Sequence, residues 1–572
     1  MFENYRKTFP ALFVSGSCGT FVAPLMTALL LVSVPVASAL AQTPQPPSNV
    51  TVLPGYSITA VTTGLNFPTA MTFYRDTIWV TEEGTATSPP AVKQIDNKGN
   101  VTTILTATML PAGTMVSPMT GIVFDRGWFW LIHRQTNSTN APGVPVGAIS
   151  LFRPNDPVGT FQTLIAGFPS FGDHPNSQIV FGADGRAYIN GAAPTNSSVV
   201  GPDNGWALTT PTLQDFPGMD IELSGIGYQT LIPFPPLDPA GGTPAAQITE
   251  PYMAFGGGTV PARTVVKAPT PAKPIQGIIA GGGTVYSFDP DAANPALTMR
   301  LEAWGFRNPY GIGIDPFNPT KLFVSNNGSD VRETTINGQL VVRGSRPIDN
   351  DWDDMFVVNI GAGEEGPERR IRRRYGQDVP FFGHPDYFHD PVTRQPLPVT
   401  NPMFCPAPLP LPPPPVLPTP CSQFAFSDQF RATLTVQPAF AELELHSSSN
   451  MFDFSRTEAF GYKGDIFIAE TGSIPTGTGA TGLDGFKVAR IDRSTGVVSD
   501  FITHPSNTLA VIFECTMSKP DGSANCFESF NKPIDVRFRG PEMFIVDFGV
   551  FAPAPVTPNS GKIWKVTHFA KQ

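Results

Sequence analysis

Seven histidines occur in the 572 residues, and two of them stand where an imidazole could move a proton. His174, in Gly172-Asp173-His174-Pro175, closes a turn just ahead of an alternating apolar strand. A side chain there should stand at the rim of whatever the strand lines, with a near-neutral pKa suited to general acid–base work. The same residue also reads as a partly exposed histidine in a proline-containing turn. His446, in Glu444-Leu445-His446-Ser447, precedes another strand of that kind and should point the same way. Arg307 and Asn308 come directly before Pro309. They either mark a turn or present a guanidinium and an amide to a ligand. Asp349, Asp351, Asp353 and Asp354 crowd together shortly afterwards. Carboxylates at that density can supply part of the six to eight oxygens that calcium wants, or form a solvated acidic loop.

Such residues need a frame, and internal repetition supplies one. An apolar pair, a turn and a second apolar strand recur at 67–84, 121–133, 178–192, 311–328, 450–472 and 533–549. A second alternating signature follows each copy, at 91–105, 148–165, 284–305, 355–361, 487–502 and 561–568. Two hairpin-like halves repeated six times predict six four-stranded sheets, which protect their edges by radial repetition around a channel. The predicted fold is therefore an all-β, six-bladed β-propeller spanning 56–568. The last copy lacks a partner strand and 56–64 is an unpaired strand, so pairing the two should close the ring. The intervals 193–283, 362–449 and 503–531 are rich in Pro and Gly and show little periodicity. They should be loop insertions on one rim, where residues from several blades converge.

Composition agrees with that frame. Proline is 63 and glycine 54 of 572 residues while only 15% are charged, which disfavours long helices. Forty-three Phe and 41% hydrophobic residues provide large cores and exclude global disorder. A net charge of −10 repels phosphate and excludes nucleic acid as a natural partner. The one basic run, Arg369 to Arg374, lies beside Glu364, Glu365 and Glu368 and reads as a self-neutralised loop. Arg6, Lys7, an apolar run and Ala39-Leu40-Ala41 predict a secretory leader over 1–41, followed by a linker over 42–55. The expected location is secreted or periplasmic, with no membrane span after cleavage. Residues 22–41 read alternatively as an uncleaved anchor. Cys405, Cys421, Cys515 and Cys526 then remain, an even number suited to two sequential disulfides. No spacing among them suits zinc, and no C-x-x-C-H marks a haem. The proline-rich stretch 401–421 reads as an extended loop insertion, serving as a spacer or a docking strip.

Several blocks together resemble the glucose/sorbosone dehydrogenase-like propellers, several of which use pyrroloquinoline quinone (PQQ) with calcium. They are 172–206, WGFRNPYGIGIDPFNPTKLFVSNNG (304–328), GSRPIDNDWDDMFVV (344–358), FGHPDY (382–387) and ELHSSSNMF (444–452). The resemblance implies His174 as base, Arg307 and Asn308 as cofactor contacts, and His446 and Lys532 as further residues of that site. It also implies a metal region at Asn327, Gly328, Asp330, Asp353 and Asp354. Two departures stand out. The paired arginines of the glucose-oxidising members fall on Lys532 and Ile534, and the carboxylate that assists their base falls on Ala192 or Ala193. The implied function is an exported, PQQ-dependent dehydrogenase of a sugar, aldose or polyol, passing electrons to an external acceptor. The alternative is a non-redox propeller: a carbohydrate- or protein-binding module, or a calcium-dependent lactonase-like hydrolase, one fold hosting many functions. Ile534 favours it.

Overall fold

Short runs of β-branched and aromatic residues, each broken by a tight turn, set the strands of every blade. In the second blade Val116–Asp125 and Trp128–Gln135 are joined by Arg126 and Gly127, both at positive φ (53° and 81°). That two-residue turn matches the right-handed twist of the strands it connects. The computed structural model describes residues 47–569 apart from 48, 86, 140, 142, 202–203, 209, 230–247, 331–333, 337–338, 343–345, 347, 349–350, 361–378, 400–423, 474–482, 507, 513–528 and 552–555.

Six antiparallel sheets form the ring. The first blade holds Pro68–Tyr74, Thr77–Glu82, Ala91–Ile95 and Val101–Thr106. The second is completed by Val146–Phe152 and Gln162–Phe168. The third holds Ile179–Phe181, Ala187–Gly191, Thr284–Phe288 and Arg300–Trp304. The fourth holds Asn308–Ile314, Lys321–Asn327, Asp354–Asn359 and Ala441–Glu442. The fifth holds Ser449–Phe454, Ile466–Glu470, Lys487–Ile491 and Val498–Thr503. The sixth holds Pro533–Arg539, Glu542–Asp547 and Gly561–His568, and takes its outer strand from Tyr56–Leu65. The closing register runs from Tyr56 opposite His568 to Leu65 opposite Gly561, as the unpaired signatures predict.

Two features depart from the sequence reading. The fourth blade is completed by a two-residue strand, Ala441–Glu442, at the far end of the 362–449 insertion, too short to show periodicity. Within the stretch read as a linker, Thr51–Val52 add a fifth strand to the fifth blade by pairing with Thr503 and Ile502. The leader, the basic run, the four cysteines, the 401–421 stretch and Asp349 lie outside the described residues. Among the described residues no helix is long and apolar enough to cross a membrane.

Each junction between neighbouring blades is stitched by a side chain bonded to the next blade's backbone. Thr69 Oγ1 donates to Met119 O (2.8 Å), Thr120 Oγ1 to Asn176 O (2.5 Å), and Ile312 N to Gln178 Oε1 (2.9 Å). Ser325 Oγ donates to Asn450 O (2.7 Å), Thr471 Oγ1 to Pro533 O (2.7 Å), and Met71 N to Asp535 Oδ2 (2.9 Å). The last of these joins the first and sixth blades. Between the stitches Met71, Met119, Tyr310, Met451 and Ile534, all from innermost strands, share one apolar cluster. The middle of the channel is thus packed rather than open, and the polar residues are displaced towards its rim.

The rim itself is set by a recurring clamp. The last residues of a blade's second strand accept the two backbone N–H groups that lead into its first. Asn190 Oδ1 takes Ser177 N (3.2 Å) and Gln178 N (3.0 Å). Asn326 Oδ1 takes Arg307 N (2.9 Å) and Asn308 N (3.1 Å). Asp547 takes Asn531 N and Lys532 N, both at 2.9 Å, together with Gly549 N and Trp564 Nε1, both at 3.0 Å. Buried donors left unpaired would each cost about 1–3 kcal/mol. Asp547→Ala should therefore destabilise the protein by about 3–5 kcal/mol, as when a buried charged acceptor is deleted. A urea-unfolding change below about 1 kcal/mol would show that the clamp does not hold the sixth blade.

Candidate functional site

The clamp at Asn326 delivers the Arg307 side chain into the rim, where it is 2% exposed. Its fork is already engaged with protein. Nε donates to Asn196 O (3.0 Å), Nη2 to Asn196 Oδ1 (2.8 Å) and Asp330 Oδ2 (2.9 Å), and Nη1 to Asn327 O (3.3 Å). Asn196 returns the grip, its Nδ2 donating to Asp330 O at 2.6 Å. On the far side of Asp330, Oδ1 stands 3.2 Å from His446 Nδ1. That is an ion-pair distance away from the hydrogen-bonding direction, and both ring nitrogens of His446 lack an aligned partner among the described residues. Burial pulls the His446 pKa down, but Asp330, Asp353 and Asp351 outweigh it and leave it raised. Charge proximity, which needs no alignment, explains why the pair counts despite the missing hydrogen bond.

His174 reaches the same place through one residue. Its Nδ1 lies 2.5 Å from Ala193 O, and Ala193 N donates to Arg307 O at 2.9 Å. A carbonyl only accepts, so the Nδ1 proton is held there and Nε2 is the basic nitrogen. The position where the assisting carboxylate was expected is thus filled by a backbone carbonyl, which orients the ring without adding charge.

The residues expected to hold calcium are used differently. Asp353 accepts Gly328 N (3.0 Å) on one oxygen, and Ser449 N (2.8 Å) and Ser447 Oγ (3.2 Å) on the other. Asn327 Nδ2 donates to Ser449 O (2.7 Å), and its Oδ1 accepts Asn308 Nδ2 (2.7 Å). Asp330 is held by Arg307 and His446. Asp354 turns away from these residues, its Oδ2 standing 3.5 Å from His389 Nδ1. Across the ladder from it, Glu442 is pushed up by burial and by the Asp354 carboxylate. Asp351 accepts Ser329 N at 2.6 Å. Among the described residues no group of three His, Cys, Asp or Glu could hold a metal. Asp351 and Asp353 fasten backbone, while Asp330 meets Arg307 and His446 and Asp354 meets His389, differences that spacing in sequence could not distinguish from metal ligation.

Lys532 enters the rim from the clamp of the sixth blade. Its Nζ donates to Thr471 O at 3.2 Å and stands 4.6 Å from the centroid of the Phe486 ring. Thr471 N in turn donates to Ser448 O, two residues from His446. Ile534 does not join, because it is part of the central apolar cluster.

Sequence reasoning assigned no role to a second buried guanidinium. Arg346 donates to Tyr228 Oη (3.1 Å), Ser197 O (3.3 Å), Pro385 O (2.7 Å) and Asp386 Oδ1 (3.1 Å). Asp386 also accepts Ala425 N (2.7 Å) and Phe426 N (2.9 Å). Next to it His384 N donates to Gly305 O (2.8 Å), and Nε2 lies 3.3 Å from Ser198 Oγ. Burial, then the Arg307 and Arg346 guanidiniums, hold the His384 pKa well below the usual imidazole range. The blocks containing Arg346 and His384 were visible in the sequence, but their partners lie 118 and 186 residues away at Tyr228 and Ser198.

The fold and rim together define a six-bladed β-propeller with a buried arginine–carboxylate–histidine site spanning the third to sixth blades. No protein-family model and no curated protein matches the sequence. Among solved structures the chain is similar to the holo form of the pyranose dehydrogenase PQQ domain from Coprinopsis cinerea, at 14% identity and a TM-score of 0.47, covering 92% of this chain and 98% of that one. It is also similar to the calcium structure of a Trichoderma reesei carbohydrate-active enzyme of family AA12, at 12% identity and a TM-score of 0.48, covering 93% and 99%. A third is the PQQ-bound form of aldose sugar dehydrogenase from Streptomyces coelicolor, at 12% identity and a TM-score of 0.42, covering 91% and 99%.

Burial lowers the Lys532 pKa from 10.5 to about 7, against the opposing pull of Asp547. Between those values the unfolded chain carries the proton and the folded protein does not, so stability should rise with pH across that window. Lys532→Met should remove the rise and stabilise the protein below pH 7. Urea midpoints at about pH 6 and about pH 9 check this, and an unchanged pH slope in the variant would contradict it.

Proposed function

We propose that the chain is an extracytoplasmic dehydrogenase that binds PQQ and oxidises a sugar, aldose or polyol, passing electrons to an external acceptor. The observation that carries this reading is the Ala193 bridge, which fixes His174 with Nε2 as its basic nitrogen and ties it through one residue to the Arg307 backbone carbonyl. Oxidation of an alcohol needs a base for the hydroxyl proton, and an imidazole held in one tautomer suits that task.

The rim also fits a carboxylate-bearing cofactor. Lys532 is a buried ammonium with a single carbonyl acceptor among the described residues, so an anion beside it would restore its charge. Asn308 Oδ1 and the His446 ring nitrogens are buried polar atoms without aligned partners. Lys532, Asn308 and His446 would hold the cofactor. When bound, PQQ supplies the electrophile that takes the two electrons from the substrate. Arg307 acts through the loop it fastens, keeping Asn196, Asp330 and through them His446 in place. His174 Nε2 takes the hydroxyl proton, and Ala193 O steadies the resulting imidazolium as a neutral acceptor. Among the described residues Asp330 and Asp353 are bonded within the protein, Asp354 faces His389, and no group of three such side chains could hold a metal, so no step is assigned to calcium.

His174→Ala should leave PQQ affinity unchanged and lower dye-linked turnover by about two to four orders of magnitude. Lys532→Ala should instead weaken PQQ affinity by about tenfold or more, the loss of one charge-assisted hydrogen bond. Absorbance titration with PQQ and steady-state turnover measure both. If the wild-type protein takes up no PQQ, or His174→Ala turns over at the wild-type rate, the dehydrogenase reading fails and a binding module replaces it. Export rests on the leader, so mass spectrometry of secreted protein should find an N-terminus near Gln42, whereas an intact Met1 in membranes would establish the anchor.

A further inference from the structure

One short segment, Ala193 to Ser198, carries contacts to both guanidiniums and to two imidazoles. Ala193 O takes His174 Nδ1, Asn196 is gripped by Arg307, Ser197 O accepts Arg346 Nη1, and Ser198 Oγ meets His384 Nε2. His174 and His384 are thus anchored to the two ends of one short segment, Ala193 to Ser198. His384 is 8% exposed. Its Nδ1 makes no hydrogen bond to a described residue, and it is not among the fully enclosed polar atoms that include both ring nitrogens of His446. That nitrogen is therefore not sealed from solvent.

We infer that His384 binds a hydroxyl group of the substrate through Nδ1 and thereby helps decide which sugar is accepted. The inference rests on the dehydrogenase reading for its choice of ligand. A neutral imidazole offers one donor and one acceptor, which matches a hydroxyl, able to give or take a hydrogen bond. Burial, and then the two guanidiniums, hold the ring neutral, so it offers no charge to a carboxylate. The residue is fixed from three directions: Nε2 meets Ser198 Oγ, the backbone N–H is tied to Gly305 O, and the adjoining Pro385 carbonyl is held by Arg346. His384 is thus a preorganised polar group rather than a loop side chain that must be ordered on binding.

The test uses the full-length PQQ-loaded protein with His384→Ala, His384→Asn and His384→Gln, assayed on glucose, galactose, mannose, xylose and 2-deoxyglucose. His384→Ala should raise KM for its best sugar by about tenfold, with kcat changed less than about threefold and PQQ affinity within about twofold. His384→Asn should recover most of the loss, because its amide occupies the place of Nδ1, while His384→Gln should not. Rank order among the five sugars should flatten in the alanine variant. Wild-type KM values in His384→Ala for every sugar, or a parallel loss of PQQ affinity, would overturn the inference. If the wild-type protein proves not to be a dehydrogenase, calorimetry with the same five sugars separates the two claims. Sugar binding weakened by His384→Ala upholds the inference, and no binding, or equal binding, overturns it.

Discussion

The structure depends on one small device: an oxygen at the end of a blade's second strand that accepts the backbone N–H groups entering its first strand. Asn190, Asn326 and Asp547 do this in the third, fourth and sixth blades. The incoming donors are buried where the ladder offers them no partner. Without an acceptor each N–H would carry its full desolvation cost. The clamp also aims chemistry. Arg307 and Lys532 are themselves clamped residues, Asn308 is clamped beside Arg307, and His174 stands three residues before the clamped Ser177. The same hydrogen bonds that end the loops therefore place the side chains of the rim.

Once placed, those side chains are governed by which charges they meet. Arg307 and Arg346 each have a buried carboxylate, Asp330 and Asp386, and neither guanidinium is spare. The two imidazoles beside them are driven in opposite directions. Burial disfavours charge on both, but His446 faces three aspartates that pull it back towards its charged form, whereas His384 faces two guanidiniums that add to burial and hold it neutral. Among the described residues Lys532 donates to one carbonyl and stands over an aromatic face, and the pull of Asp547 does not offset its burial, so its charge is the least supported of the group. Low dielectric makes each of these differences large. The rim is therefore an electrically differentiated surface on a rigid ring, with an apolar plug of Met71, Met119, Tyr310, Met451 and Ile534 beneath it.

Legibility followed periodicity. All six copies of the inner signature lie over the first two strands of a blade, and the pairing of 56–64 with 561–568 was readable because each half lacked a mate. The two-residue strand Ala441–Glu442 was not readable, since two residues have no period. His174, Arg307, Asn308 and His446 could be picked out because each lies at the start of a first strand, where a propeller must turn its chain towards the axis. The acidic residues were harder. Asp353 and Asp354 are neighbours in sequence, yet one clasps Gly328 and Ser449 while the other faces His389, because successive residues at a strand end point to opposite sides.

By itself, then, the sequence determined the repeat, the blade count, the closing strand and the polar residues that begin the inner strands, all properties carried by local pattern. Only the tertiary structure decided what those residues touch. It put a carbonyl at Ala193 where a carboxylate was expected, engaged Arg307 with Asn196 and Asp330, spent Asp353 on backbone, and brought Arg346 and His384 from the 328–440 region against Ser197 and Ser198. The reason is physical: a strand's period is written in adjacent residues, whereas a buried side chain's charge and partners are set by whatever the ring brings within a few ångströms, from positions more than a hundred residues away.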